Sequence, residues 1–170
     1  MNLQLRFLPI PLRWAPGDEQ TSSRLRAILE PWLGTPYVAG QRLRGVGADC
    51  VGFACSVMDE MLGRSDTPRE RLPRDAALNH PVKARAFMRV MLERYAPVEE
   101  VAPGKVALPG DIFVTGALGG GPGHVIIVGP DPSTTWQAGG REVIRSGWTL
   151  CSLSQRLLHH KRLGSLRPWA

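Results

Sequence analysis

Two kinds of side chain in this 170-residue sequence are suited to nucleophilic and proton-transfer chemistry: three cysteines and four histidines. A cysteine taken alone is more often a small buried hydrophobe than a nucleophile. Position singles out Cys50. It follows Asp49 and the glycine-rich approach GVGADC, and the apolar run after it predicts a helix over 50–62 with Asp49 at the N-cap and Gly63 just past the end. A thiol in that first turn meets free backbone N–H groups and the positive end of the macrodipole, which favour the thiolate, the form that attacks a carbonyl carbon. The same amides suit a developing oxyanion. Cys55 falls inside the predicted helix and Cys151 in a turn, and both read as structural.

A thiol nucleophile needs a base, and the base needs an orienting group. His159 and His160 stand together near the C-terminus, where a solvated or charge-balancing role fits, and His80 reads as a helix-start residue. His124 opens the apolar run HVIIV directly after GGGPG. If HVIIV and STTWQA pair across a four-residue loop, 129–132, Val128 faces Ser133 and His124 falls opposite Gln137. Opposed residues of an antiparallel pair share a face, with Cβ atoms about 4.5–5.5 Å apart. A Gln137 amide oxygen would then accept from one imidazole nitrogen and leave the other for Cys50, whereas a slip of one residue would turn it away.

These groups must be positioned by elements that the pattern also predicts. Leu25, Ile28, Leu29 and Trp32 recur at helical spacing over 21–33, with Thr21, Ser22 or Ser23 as the cap. The GTPY that follows breaks the helix. A third helix is predicted over 81–95, after a polar surface loop at 64–79. Beyond Pro103-Gly104 the texture changes to short β-prone runs at 111–114, 124–128, 134–138, 141–146 and 161–167, with a helical turn over 152–158. Helices first and strands afterwards predict an α+β domain with N-terminal helices, the nucleophile at a helix start, and a C-terminal antiparallel sheet. Residues 1–20 read as an irregular arm and 21–170 as a single domain. GALGGGPG lacks the GK[ST] ending of a phosphate loop and precedes a strand, so it reads as a mobile lip.

Composition narrows the field. With 43% hydrophobic and 21% charged residues the chain is an ordinary globular one, and its charge of +6 with pI near 9.9 favours anionic partners of some kind. Nucleic-acid binding would rest on charge alone, because no aromatic-basic motif accompanies it. Three cysteines without a CxxC argue neither a disulfide framework nor a metal site. No stretch reaches the ~20 apolar residues of a membrane span. The N-terminus lacks the order of a signal peptide, so synthesis in the cytoplasm is expected.

The same residues carry a family resemblance. WLGTPYVAGQRLRGVGADCVGF resembles the nucleophile region of NlpC-type papain-like cysteine peptidases, which act on cell walls. LPRDA (72–76), LPGDIFV (108–114), GHVIIVG and TTWQAGG are similar to that family's later elements, in the same order, from about Trp32 to Arg167. The long turn before Asp49-Cys50 is most similar to members associated with phage tails and phage-like particles.

The resemblance implies a papain-like fold, Cys50 as nucleophile, His124 as general base and Gln137 as its orienter. Tyr37 would border the site, and Asp49 would help hold a free amine of the substrate while also capping the helix. Val51 stands where many relatives carry serine. It removes a hydroxyl able to bind a substrate carboxylate and implies an apolar wall on the acyl side. The expected activity is hydrolysis of peptide-type amides, in the stem peptides of bacterial peptidoglycan, through a thioester and without metal or organic cofactor. Phage-tail or injection-machine proteins are the expected further partners, with delivery by such a device. The rival expectations are an acyltransferase or other amidase on the same scaffold, and a catalytically inert tail assembly module.

Overall fold

Asp18 sets the start of the first helix. Its carboxylate accepts the Thr21 amide at 2.7 Å, and α1 runs Glu19–Leu29 before tightening into a 3₁₀ turn at Glu30–Trp32. The helix thus begins two residues before the expected 21–33, because its cap is Asp18 rather than Thr21, Ser22 or Ser23. Hydrogen bonding of the Asp18 side chain to Thr21 holds this carboxyl below its usual range. The predicted stripe of Leu25, Ile28, Leu29 and Trp32 is buried. The computed structural model describes residues 18–63, 99–100, 108–117, 124–131, 134–147 and 160–167. The expected arm over 1–20 gives way to α1 at Glu19, and the expected lip over 116–123 begins with the last two residues of β4; the rest of both, the loop at 64–79, the helix at 81–95, the turn at 152–158 and Cys151 lie outside the described residues.

The second helix, α2, spans Cys50–Met61, with Asp49 as its N-cap. Every residue in it except Glu60 is buried, the pattern of a helix enclosed on all sides rather than amphipathic. It is preceded by a small hairpin of β1 (Arg42–Leu43) and β2 (Gly47–Ala48), which the sequence pattern did not predict. The remaining strands are β3 (Glu99–Glu100), β4 (Ile112–Ala117), β5 (His124–Val128), β6 (Thr134–Gly139), β7 (Glu142–Gly147) and β8 (His160–Arg167). They form one antiparallel sheet in the order β3-β8-β4-β5-β6-β7. The chain is therefore α+β, helices before an antiparallel sheet, as expected. No helix among the described residues is long and apolar enough to cross a membrane.

Side chains alternate across β5 and β6. Val125, Ile127, Trp136 and Ala138 join Leu25, Leu29, Trp32, Phe53 and Val57 in one buried cluster, so α2 packs across these two strands. Trp32 meets Phe53 edge-on with centroids 5.4 Å apart, a favoured aromatic geometry.

Candidate active site

The start of α2 and the start of β5 lie at the same end of the sheet, and two sets of contacts fix this. At the far end, Arg24 reaches the Glu60 carbonyl near the end of α2, and Arg26 pairs with Asp131 in the β5–β6 loop at 2.5 Å. Asp131 lifts the Arg26 guanidinium further above its usual range, first by the hydrogen bond and then by its charge. At the near end, residues 34–37 run along the β7 edge: the Gly34 amide donates to Val143, Val143 to Thr35, and Tyr37 to Arg141. Pro36 and Tyr37 then bridge Glu142 and Ala48 respectively, and Ala48 leads directly into Asp49 and Cys50. The twelve residues of α2 cover ~18 Å and the five of β5 ~17 Å, so the helix spans the length of the strand.

Asp49 holds the helix start. One carboxylate oxygen accepts the Gly52 amide at 2.6 Å and the other the Gly40 amide at 2.7 Å, while Asp49 itself is buried. One oxygen thus caps the helix and the other ties down the approach at Gly40. Gly52 explains itself by close approach. A Cβ there would overlap the Gln41 carbonyl and lie 3.0 Å from the Arg42 Cβ, because the 40–42 backbone crosses the first turn of the helix. The same segment is clamped to the flank of α2 by Arg42, which pairs with Asp59 at 2.8 Å with both side chains nearly enclosed. Arg44 adds an ion pair with Glu60 and stacks 5.3 Å from the Trp32 ring centroid.

His124 Nε2 lies 2.8 Å from Gln137 Oε1. The two side chains meet as expected, but the register that brings them together differs from the expected one. Val128 pairs with Thr135 and Ile127 with Trp136, a shift of two residues that continues to His124 opposite Gly139. An ideal Cβ on Gly139 would sit 3.3 Å from His124 Cε1, which matches that continuation. A shift of two preserves the face, whereas a shift of one would have lost it. Gln137 is therefore the diagonal neighbour of His124 rather than its directly opposed partner. The ladder between β5 and β6 is confined to the two pairs beside the loop, and the imidazole bridges the strands beyond it.

Cys50 opens α2 and belongs to the buried cluster that contains Val125 and Ala138, the chain neighbours of His124 and Gln137. It is 1% exposed. Cys55 is likewise buried and unoxidised, deeper in the helix. Val51 is 0% exposed and lies in the same cluster as Cys50. Tyr37 is half-buried and packs against the core, its backbone joining β7 to the approach to Cys50.

Sequence reasoning missed the close approaches at Gly52 and Gly139. Gly52 lay in view within DCVGF, but the strand that crosses it comes from residues 41–42, which no pattern marks. Comparison of the chain with protein-family models and with curated proteins finds no match.

Proposed function

We propose that this chain is a cysteine hydrolase of the papain-like, NlpC type, cleaving peptide-type amides through a thioester. The observation that carries the reading is the His124 Nε2 to Gln137 Oε1 bond. A carbonyl oxygen can only accept, so with Oε1 facing the ring Nε2 carries the hydrogen and the basic lone pair falls on Nδ1. A neutral imidazole held in this tautomer has its proton acceptor on the edge turned away from Gln137. Nδ1 takes the Cys50 proton, and Sγ attacks the amide carbonyl carbon. The resulting imidazolium protonates the departing amine as the C–N bond breaks and leaves a thioester. The same nitrogen then deprotonates the water that releases the acid. An amide in the first turn of α2 other than that of Gly52, which donates to Asp49, would bind the oxyanion.

The sequence resemblance points to peptidoglycan stem peptides as substrate and to phage-tail or injection-device proteins as partners. Acyl transfer to an acceptor other than water would use the same residues. Incubation with purified muropeptides, followed by mass spectrometry of the new termini, tests the reading: the native chain yields cleaved products and Cys50→Ala yields none. The near-complete burial of Cys50 favours a second reading, a tail assembly module that retains the fold without turnover. Intact muropeptides after prolonged incubation, together with stable association with tail proteins, would select it.

A further inference from the structure

We propose that Gly139 is a positioning residue for His124: its missing side chain leaves the space in which the imidazole lies while it is bonded to Gln137. The inference rests on reading His124 as the base. Gly139 ends β6, opposite the start of β5, and a Cβ built on it would lie 3.3 Å from His124 Cε1 and 3.6 Å from Nε2. These two atoms form the ring edge that carries the 2.8 Å bond to Gln137. The first of the two distances is shorter than an ordinary van der Waals contact (about 3.5–4.0 Å between carbons), so a methyl group would displace that edge by tenths of an ångström. A branched side chain would displace it further. A diagonal pair needs this clearance more than a directly opposed pair does, because the ring must lean along the strand, across the neighbouring backbone, to reach its partner. Gly139 therefore leaves the room in which the ring leans to make its diagonal bond.

Gly140 supplies the control. Its φ of +69° favours glycine or asparagine, and a Cβ there would meet nothing within 4 Å. Gly140→Asn therefore alters the same turn without touching the ring.

Two-bond ¹H–¹⁵N correlation spectra of the imidazoles report which nitrogen carries the hydrogen, with His124 assigned from the signal absent in His124→Ala. The native chain is expected to show His124 protonated at Nε2. Gly139→Ala should reduce the ratio of Nε2–H to Nδ1–H forms by roughly fivefold, the factor that ~1 kcal/mol implies, and Gly139→Val by more. Gly140→Asn should leave the ratio as in the native chain. Serine at position 139, close to alanine in size, should behave as alanine does. Amide-region spectra identify folded variants, and the comparison uses those. A folded Gly139→Ala or Gly139→Val protein with the native His124 signals overturns the proposal, as does an equal change in Gly140→Asn. The readout needs no turnover. Native ring signals in the position-139 variants would sink the positioning role alone, whereas an inactive native chain with the expected ring response would sink the hydrolase reading alone.

Discussion

His124 lies opposite Gly139 and bonds Gln137 along the diagonal of the β5–β6 pair. The two side chains therefore come from neighbouring strands with no directly opposed pairing between them. Gln137 is buried, so its amide has few orientations to choose from. That arrangement separates the two roles energetically.

His124→Ala should lower kcat on a cleavable muropeptide by roughly 10²–10⁴-fold or more, the usual contribution of general acid–base catalysis. Gln137→Ala removes one neutral hydrogen bond, commonly about 0.5–1.5 kcal/mol, and should cost roughly tenfold or less. Equal losses in the two variants, measured under single-turnover conditions, would mean that Gln137 does more than orient the ring.

Alkylation kinetics read the thiols without any substrate. Cys50 sits at the helix start and Cys55 in the enclosed middle of α2. Iodoacetamide at near-neutral pH should modify Cys50 ahead of Cys55 and Cys151, and the rate should fall in His124→Ala. Peptide mapping over time decides the order. Modification of Cys55 or Cys151 first would remove the case for an activated nucleophile at position 50.

Gly52→Ala sets two opposing effects against each other. Alanine gains about 0.8–1.0 kcal/mol of helix propensity over glycine. The added methyl meets the Gln41 carbonyl and lies 3.0 Å from Arg42 Cβ, and overpacking of this kind costs about 1–3 kcal/mol. Arg42 is held by its pair with Asp59, so the crossing segment has little room to retreat. The clash should win, giving a lower melting temperature and a slower Cys50 alkylation. A variant as stable as the native chain would show that the segment yields freely.

Val51→Ser distinguishes the expected acyl-side wall from the observed core position. Val51 has no exposed surface, so a hydroxyl there is buried, at a cost of about 1–3 kcal/mol unless it finds a partner. The variant should lose stability in chemical denaturation and keep the native ratio of kcat/KM between amidated and free-acid muropeptides. A tenfold swing of that ratio towards the free acid would restore position 51 to the substrate site.

Much of this was written in the sequence. The apolar spacing of Leu25, Ile28, Leu29 and Trp32 specified one helix, and the unbroken apolar run after Asp49-Cys50 specified another, because period and capping are local properties. β-prone composition between glycine and proline breaks placed HVIIV and TTWQA on strands, and pairing them across a short loop put His124 and Gln137 on one face. The register was not local. Six residues, 129–134, separate the paired Val128 and Thr135, in place of the four expected from the glycine and prolines of that turn. Asp131 is the reason. Its carbonyl accepts both the amide and the hydroxyl of Thr134, while its carboxylate is held by Arg26 from the first helix. The turn residue whose carbonyl closes the loop is thus also the one that the first helix reaches across the molecule. The crossing of Gln41 over Gly52 was beyond the sequence for the same reason. Side-chain periodicity is encoded residue by residue, but the closeness of two backbones depends on where the rest of the chain has already packed.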